Sequence, residues 1–478
     1  MIARILSTPI QKPAGRKDIP AGKPPPRSID RSVLAAILPG PGRDRLARGD
    51  VLTVTSGQQP GLFTGPLYTV YKALSAIALA RRLERERGVP VVPVFWVAGD
   101  DHDFAEANHA QVLGRDGDVV QIVLRERPHD APQLPLFREP CGPDARVALD
   151  GLAAALPDSE FKPAVLEWLG AAYGPDANLA DAGAQALHRL LAERGLAVFR
   201  AYDPAPKRVA APLVLRALDE VLADGLAPVL VEGRLGRDRL RREGDDFVTR
   251  RGGERFSRND LERLAADAPE RLSPNVLLRP VIEAALFPTV AYLGGPAELD
   301  YFADAAPLFQ RLGVQPQAVV PRWSGVIVES RVDKVLERHG LSPADFDGAP
   351  GSLEAEIARS DLPPEVATAF ADLRRELESR YAEIGGAVQR IDPTLERTVQ
   401  SARNAALGGA HEIEKKLVAS LKRAQGTLVS QLARARAALA PNGKPQERVL
   451  TAASFLARYG FSLLDDIDAE VARWAGSS

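Results

Sequence analysis

Residues 51–103 predict a β-strand, a glycine-rich turn, an α-helix and a second β-strand in immediate succession. The first strand, at residues 51–55, is rich in β-branched residues, and the helix, at residues 66–87, begins with proline and is followed by Gly88. Proline at the first helical position and glycine just past the last are the usual asymmetry of helix ends. Residues 91–97 form a continuous apolar run of strand length, which is typical of a parallel strand buried on both faces. This succession restricts the N-terminal part of the chain to an α/β fold.

The same order of elements recurs at residues 287–321. There a Gly-Gly-Pro turn separates a predicted strand, residues 288–293, from a predicted helix, residues 297–312. Two such halves predict a Rossmann-like, doubly wound parallel sheet. The long insertion between the halves contains further α/β segments, and its residues 234–258 predict an exposed hairpin or a mobile loop.

After Gly351 the sequence predicts three helical segments that are separated by proline-containing turns. Apolar residues recur there at spacings of three, four and four, an eleven-residue repeat that is typical of a nearly straight or slightly right-handed coiled coil. We therefore expect an antiparallel helix pair, whose longer helix, residues 393–440, would extend about 70 Å at about 1.5 Å per residue. Such an arm would project and bind a second copy, giving a homodimer; the alternative is a helical bundle folded back on the core. The repeat positions are Phe370, Leu373, Leu377, Tyr381, Ile384 and Val388 in the first helix and Ile413, Leu417, Leu421, Ala424, Leu428, Leu432, Ala435 and Leu439 in the second.

These patterns divide the chain into five expected parts. An extended arm rich in proline, glycine and lysine, residues 11–27, precedes the first strand and belongs to the first part. The parts are residues 1–112 (first half of the core), 113–270 (inserted connecting segments), 271–350 (second half of the core), 351–445 (antiparallel coiled coil) and 446–478 (a C-terminal helix returning to the core).

The charge balance bears on the partners of the chain. Sixty-one basic and sixty-three acidic residues leave a formal net charge of −2, so the molecule as a whole has no field that attracts nucleic acid or an anionic membrane. We expect neither as a partner. The single cysteine, Cys141, excludes an internal disulfide framework and, with no signal peptide recognisable at the N-terminus, indicates a cytoplasmic protein.

A glycine-rich loop, residues 55–66, lies between the first predicted strand and the helix. Backbone N–H groups and the helix dipole favour an anion at such a position, although the loop is neither a Walker A nor a GxGxxG motif. Strand-to-helix turns need glycine in any case, so it is the loop's glutamines and hydroxyl groups that favour a binding site. A lysine near a helix N-terminus opposes the dipole, which suggests a function for Lys72; the alternative is a lysine that merely extends into solvent. The predicted residues of this site are Gly57, Gln58, Gly61, Thr64, Gly65, Tyr68 and Lys72.

Three carboxylates and a histidine directly follow the second strand, at the carboxyl end of the sheet, where open α/β folds bind their ligands. Asp100, Asp101 and Asp103 repel one another, and such crowding is stable only beside a cation. The candidates are a substrate amine, Lys72 or a divalent ion such as Mg²⁺. We predict that Asp101, His102 and Asp103 form the second part of the site.

The second half of the core contributes further candidates. Asn275 and Arg279 lie upstream of its strand, and arginine can bind a phosphate or carboxylate through two parallel hydrogen bonds. Gly294 and Gly295 form the turn before the next helix and could admit a nucleotide close to the backbone, although a turn alone would also need glycine.

Taken together, five segments resemble the bacillithiol biosynthesis cysteine-adding enzyme family, and the similarity extends over nearly the whole chain. The segments are TSGQQPGLFTGPLYTVYK (residues 55–72), VVPVFWVAGDDHD (91–103), LSPNVLLRP (272–280), TVAYLGGPAE (289–298) and PNGKPQERV (441–449).

The resemblance implies a ligase that joins cysteine to glucosaminyl-malate in the last step of making a low-molecular-weight thiol. It also implies a Rossmann-like core resembling class I aminoacyl-tRNA synthetases, with inserted connecting segments and a coiled-coil arm used in dimerisation. By this resemblance, Gly65-Pro66 at the start of the helix stands where those synthetases bind the phosphates of ATP.

Residues and resemblance together lead to one mechanistic hypothesis. ATP activates a carboxylate as an acyl-phosphate or acyl-adenylate, and an amine attacks it. The N-terminus of the first helix and Lys72 would stabilise the activated group; Asp101 or Asp103 would hold the amine, and His102 would help to remove its proton. The alternatives are a nucleotide-binding coiled-coil scaffold without ligase activity and a tRNA-aminoacylating enzyme, which the net charge disfavours.

Overall fold

The structure, a computed structural model, describes residues 3–8, 24–349, 351–360, 362–424 and 426–476. Most of the predicted N-terminal arm, residues 11–27, lies outside the described residues. Two compact units divide the chain. One, the core unit, comprises residues 1–329 and 445–478; the other, the helical unit, comprises residues 330–444.

Within the described residues, the strands are β1 (Arg4–Ser7), β2 (Leu52–Gln58), β3 (Val91–Val97), β4 (His109–Leu113), β5 (Val119–Val123), β6 (Ala197–Arg200), β7 (Val229–Gly233), β8 (Gly236–Glu243), β9 (Asp246–Thr249), β10 (Arg255–Ser257), β11 (Leu272–Pro274), β12 (Thr289–Gly294), β13 (Ala318–Pro321) and β14 (Gly325–Val328). The helices are α1 (Arg31–Ala35), α2 (Pro41–Ala47), α3 (Tyr68–Arg87), α4 (Phe104–Ala107), α5 (Asp144–Ala155), α6 (Lys162–Gly170), α7 (Leu179–Leu191), α8 (Pro204–Ala217), α9 (Arg258–Asp267), α10 (Arg279–Leu286), α11 (Pro296–Leu312), α12 (Ser330–His339), α13 (Ser352–Ser360), α14 (Pro364–Ile391), α15 (Glu396–Ala424), α16 (Gly426–Leu439), α17 (Ala453–Tyr459) and α18 (Leu463–Gly476).

A five-stranded, fully parallel sheet is the centre of the core unit, with spatial order β13-β12-β2-β3-β6. In chain order this is 5-4-1-2-3, the arrangement of a doubly wound Rossmann-like fold. All seven residues of β3 are buried, as the apolar run predicts for a strand covered on both faces. The predicted α/β fold with a doubly wound parallel core is therefore confirmed.

Helix α3 ends as predicted but begins later. Gly88 follows its last residue in the left-handed conformation (φ 65°) that glycine adopts without strain. The helix was expected to begin at Pro66 and instead begins at Tyr68, because the two residues before it are held by the C-terminal segment. Pro66 forms a β-bridge with Thr451, and the backbone N–H of Leu67 donates to the carbonyl of Leu450 at 2.8 Å.

The insertion contributes a second sheet to the core unit. Its order is β10-β9-β8-β7-β11, and every neighbouring pair in it is antiparallel. The expectation of an exposed hairpin or mobile loop at residues 234–258 is therefore only partly right, because these residues form three paired strands. Alternate residues of β8, including Leu240, are buried, and this packing orders the segment.

The helical unit contains the predicted antiparallel coiled coil. Helices α14 and α15 are joined by a short turn in which Asp392 caps the 3₁₀ segment that follows. Ion pairs link α14 to α15, with Arg374 2.5 Å from Glu414 and Arg403 3.5 Å from Glu378. The predicted continuous helix over residues 393–440 is seen as α15 and α16; residue 425 lies outside the described residues. The five-part division of the chain stays a prediction.

Candidate active site

A cavity of about 480 Å³ opens at the carboxyl ends of β2, β3 and β12. The strand order reverses between β2 and β12, and open α/β sheets bind their ligands at such a point. The cavity lies wholly within the core unit. Among the residues predicted from the sequence, those that line it are Gly57, Gln58, Tyr68, Lys72, Asp101, His102, Asn275, Arg279 and Gly295.

Lys72 lies on the buried face of α3 and is only 3% exposed. Its ammonium group lies 2.5 Å from the carboxylate of Glu298 and donates to the carbonyl of Gly57 at 2.9 Å and to Oε1 of Gln58 at 2.8 Å. Burial lowers the pKa of Lys72, and the charge of Glu298 opposes that change. The solvent-exposed alternative for Lys72 is therefore wrong, and its partner is a carboxylate of α11.

Four of the predicted glycine-loop and turn residues do not line the cavity. Gly61 and Thr64 are held instead by Tyr173, whose hydroxyl donates to the carbonyl of Gly61 at 2.7 Å and accepts from the backbone N–H of Thr64 at 2.9 Å. Gly65 has φ 68° and ends the short 3₁₀ turn before α3, so its role here is conformational. Gly294 is the last residue of β12, and its carbonyl accepts from the backbone N–H of Arg322.

The first carboxylate after β3 has a lysine partner that the sequence did not indicate. Asp100 is 8% exposed and lies 2.8 Å from the ammonium group of Lys207, on α8. Lys207 also donates to the carbonyl of Leu272 at 2.8 Å, and burial lowers its pKa. Lys207, and not Lys72, is therefore the cation that neutralises this end of the acidic segment.

Asp101 and Asp103 both shape the loop in which they lie. Oδ1 of Asp101 accepts from the backbone N–H of His102 at 2.7 Å and of Asp103 at 3.2 Å. Asp103 caps α4 by accepting from the backbone N–H of Glu106 at 3.0 Å. Asp103 lines a neighbouring cavity of about 350 Å³. His102 lines both that cavity and the main one.

Arg279 and Asn275 also line the cavity. Arg279 pairs with the fully buried Glu283 at 2.9 Å and donates to the hydroxyl of Tyr301 at 2.9 Å. Burial raises the pKa of Glu283, and the charge of Arg279 opposes this. Oδ1 of Asn275 accepts from two backbone N–H groups at the start of α10, so its side chain organises the turn that carries Arg279.

The sequence did not indicate several charged residues of the cavity: Arg237, Arg239, Glu298, Arg322 and Arg448. Arg322 pairs with Glu447 inside the protein, with side chains 2% and 5% exposed. Glu447 and Arg448 stand in the segment PNGKPQERV, which was the available signal for them. Arg237 comes from β8, for which the sequence predicted only an exposed hairpin or loop.

In the part of the chain that the structure describes, no group of three or more His, Cys, Asp and Glu residues could hold a metal ion. Nor is any helix among those residues both long and apolar enough to cross a membrane.

Comparison with known proteins matches two domain families to the chain. Residues 43–225 and 229–323 match the family description "Bacillithiol biosynthesis BshC, N-terminal Rossmann-like domain", and residues 325–472 match "Bacillithiol biosynthesis BshC, C-terminal coiled-coil domain".

Similar proteins occur in several bacteria. Each is named cysteine ligase BshC, and that name is marked as provisional. The chain is 34% identical to the Salinibacter ruber protein (92% of this chain, 87% of the relative) and 33% identical to that of Symbiobacterium thermophilum (89% and 83%). It is 32% identical to the Heliobacterium modesticaldum protein (91% and 83%). With both domains matched and relatives aligned over most of their length, the chain belongs to the bacillithiol biosynthesis BshC family.

Proposed function

We propose that this protein is a ligase that joins the carboxyl group of cysteine to the amine of glucosaminyl-malate, forming an amide bond with ATP as energy donor. Its relatives are named provisionally as cysteine ligases, and the family description places them in bacillithiol biosynthesis. The resemblance of the sequence motifs to cysteine-adding enzymes supports the two substrates.

The observation that carries the proposal is that one cavity has two chemically different parts in its wall. Lys72, Arg279, Arg322 and Arg448 supply a part of its wall that is rich in cations, and Asp101 with His102 supplies another part that could bind and deprotonate an amine. Amide formation needs both an anionic, activated acyl group and an attacking amine. A scaffold that only bound a nucleotide would have no use for the second part.

The residues around Gly295 fit a phosphate group. Nε of Arg322 is buried and has no hydrogen-bond partner within the described part of the chain. A methyl group added to Gly295 would lie 4.0 Å from that Nε atom, so the missing side chain leaves room there. Helix α11 begins at Pro296, and helix N-termini favour anions. The backbone N–H of Gly295 already donates to Oε2 of Glu298 at 2.8 Å. We therefore propose that Arg322 and Arg448 hold phosphate oxygens of ATP.

When bound, ATP would supply the activation of the carboxyl group. Lys72 would stabilise the negative charge that develops on the activated acyl group. Because Lys72 is already held in place, it would do so without reorganisation. The carboxylate of Asp101 would orient the attacking amine, and the segment from Asp101 to Asp103 would supply the proton acceptor. Enclosure in the cavity would keep water from competing with the amine.

Mass spectrometry of a reaction containing the purified protein, ATP, cysteine and glucosaminyl-malate tests the proposal. We expect a product with the summed mass of the two substrates less one water, with ATP consumed in equal amount. The same analysis identifies the nucleotide product as ADP or AMP. Nucleotide binding without an ATP-dependent amide product would contradict the ligase and support the scaffold.

Single substitutions test the site separately from the reaction. We expect Asp101→Asn and His102→Ala to lose most of the turnover, because removing a group that accepts a proton or stabilises charge in the transition state typically lowers rates by about 10²–10⁴-fold. Asp300→Asn is the matched control, since Asp300 is an exposed carboxylate of α11 outside the cavity. Full activity in both site variants would show that the site is wrongly assigned.

We further propose that the coiled coil forms a homodimer. No residue of α14 is buried within the chain. Among the repeat positions, Leu373 is 42%, Ile384 47% and Ile413 61% exposed. Apolar residues at helical spacing gain free energy when a second copy covers them. A cytoplasmic location, expected from the cysteine content, remains part of the proposal.

Light scattering after gel filtration tests the dimer. We expect twice the chain mass of 51.4 kDa for the natural protein. The double variant Leu373→Glu with Ile384→Glu should elute as a monomer, and Ala382→Glu, an exposed position of the same helix outside the repeat, should not change the mass. A natural protein that is monomeric at micromolar concentration would refute the dimer.

A further inference from the structure

Arg237 brings a guanidinium group from the inserted sheet to the imidazole of His102. Its Nε donates to the hydroxyl of Ser273 at 2.8 Å, and Nη2 donates to the carbonyl of Pro274 at 2.7 Å. These two bonds fix the guanidinium plane against β11. The remaining nitrogen, Nη1, lies 3.4 Å from Nδ1 of His102.

The chemistry of the two groups decides the direction of this hydrogen bond. A guanidinium group has five N–H donors, no acceptor, and stays protonated in proteins. Nδ1 of His102 must therefore be the acceptor and carry no proton, and in a neutral imidazole the proton then lies on Nε2. The other tautomer and the imidazolium ion would both place an N–H of His102 against an N–H of Arg237. The part of the chain that the structure describes offers no hydrogen-bond partner for Nε2, which remains available for a ligand.

Charges on the neighbouring elements act on the same ring. Arg237 on β8 and Arg251, which follows β9, face it with positive charge, while Asp101 and Asp103 lie beside it with negative charge. The guanidinium of Arg127 is directed at the backbone carbonyl of His102, at 3.5 Å. Burial, followed by the charge of Arg237, lowers the pKa of His102 below its ordinary value of 6.5.

We propose that Arg237 is a positioning residue that holds His102 as the neutral tautomer protonated at Nε2, so that His102 donates a hydrogen bond to an anionic oxygen of the substrate. His102 then is not the base expected from the sequence. The amine proton passes instead to the carboxylate of Asp101, whose Oδ1 accepts backbone hydrogen bonds and whose Oδ2 makes none with the described residues. The consequence for catalysis rests on the proposed ligase function, whereas the tautomer does not.

Nitrogen-15 NMR of the full chain labelled at histidine tests the tautomer without any substrate. The chain has six histidines, and the spectrum of His102→Gln identifies the signals of His102. We expect the chemical shifts and couplings of a neutral ring with the proton on Nε2 at pH 7, and protonation only below pH 6.5. A proton on Nδ1, or an imidazolium ion at pH 7, would overturn the inference.

A pair of variants tests the role of Arg237. In Arg237→Gln the protonation midpoint of His102 should move to higher pH, because Asp101 and Asp103 remain while the guanidinium is lost. Arg239→Gln removes a guanidinium from the same strand, one that pairs with Asp224 and not with His102, and should leave the midpoint unchanged. An unchanged midpoint in a folded Arg237→Gln protein would refute the role. If Arg237→Gln does not fold, the tautomer of His102 measured in the natural protein still tests the inference.

Amide formation by the same preparations separates this inference from the proposed function. A ring protonated at Nε2 in a protein that forms no amide would leave the tautomer standing and remove the ligase. An active ligase whose His102 carries its proton on Nδ1 would support the ligase and refute the tautomer.

Discussion

Lys72 illustrates how the charge of one side chain depends on a partner that is distant in the sequence. Its side chain enters the cavity from α3, where burial alone would favour the neutral amine. The carboxylate of Glu298, 2.5 Å away at the start of α11, keeps the ammonium form favourable. The position of Lys72 on a helix could be predicted from the sequence. Its partner could not, because Lys72 and Glu298 lie on different halves of the core.

The substitution Glu298→Gln tests this dependence. Without the carboxylate, the pKa of Lys72 should fall further, so the lysine loses its proton as the pH rises through a lower value than in the natural protein. Amide formation by the variant, relative to the natural protein, should therefore decline progressively toward high pH. Rates measured from pH 6 to 9 check this, with Asp300→Asn on the same helix as control. A loss of activity that is equal at every pH would contradict the argument.

Cys141 provides a second test of burial at a single residue. The thiol is buried, and burial raises its pKa to about 12. Because the thiolate is the reactive form, an aromatic disulfide reagent at pH 8 should react slowly with the folded protein. The same reagent should titrate one thiol rapidly in denaturant, which serves as the control. Rapid reaction of the folded protein would show that the thiol is accessible.

At the scale of elements, the local patterns located the helices and strands well, and neighbours distant in sequence altered their ends. Strand β3 has the predicted bounds, and α3 stops at the predicted glycine. Strand β2 continues to Gln58, past the predicted end at Thr55, because each of its residues pairs with β3 up to Val97. A turn-forming pair such as Ser-Gly is thus compatible with a strand when a partner strand lies beside it.

Gly57 of β2 pairs with Trp96 of β3. A Cβ atom at Gly57 would lie 2.7 Å from the carbonyl oxygen of Trp96 and 2.9 Å from its Cβ, and neither atom can move without disturbing β3. We expect Gly57→Ala to lower the free energy of unfolding by roughly 1–3 kcal/mol, as overpacking does. Denaturant unfolding followed by circular dichroism measures it.

A matched glycine in the helical unit should respond in the opposite direction. Gly385 lies inside α14, and a Cβ atom there meets nothing within 4 Å. Gly385→Ala should stabilise that helix by about 0.5–1 kcal/mol, because alanine loses less conformational freedom on folding. If both alanine variants were equally tolerated, close packing at Gly57 could not be the reason for its glycine.

At the scale of the whole molecule, the core unit is assembled from two stretches of chain, one before and one after the helical unit in the sequence. The buried pair of Arg322 and Glu447 joins the second half of the Rossmann-like core to the segment after residue 444. Beside it, the side-chain amide of Gln446 bonds to both the backbone N–H and the carbonyl of Ile327, at 2.9 Å each. The C-terminal segment therefore completes the cavity and is more than a covering helix.

Glu447→Gln should destabilise the core unit strongly. The substitution leaves the charge of Arg322 buried beside a neutral partner, and breaking a buried pair in this way costs about 3–5 kcal/mol. Glu470→Gln, which disrupts a pair with the largely exposed Arg473, should change stability by less than about 1 kcal/mol. Thermal unfolding of both variants checks the difference. Similar small shifts in both would mean that the buried pair does not hold this segment.

The sequence by itself determined the parallel strands, the helix stops and the coiled-coil helices, because each of these depends on the pattern of a few neighbouring residues. It also located four of the segments that meet at the cavity, at residues 57–72, 101–102, 275–279 and 294–295. Only the tertiary structure decided which charges meet: Lys72 with Glu298, Asp100 with Lys207, and Arg237 with His102. These partners lie far apart along the chain, and the distance between them is set by which strand ends and inserted segments the packed sheet brings together.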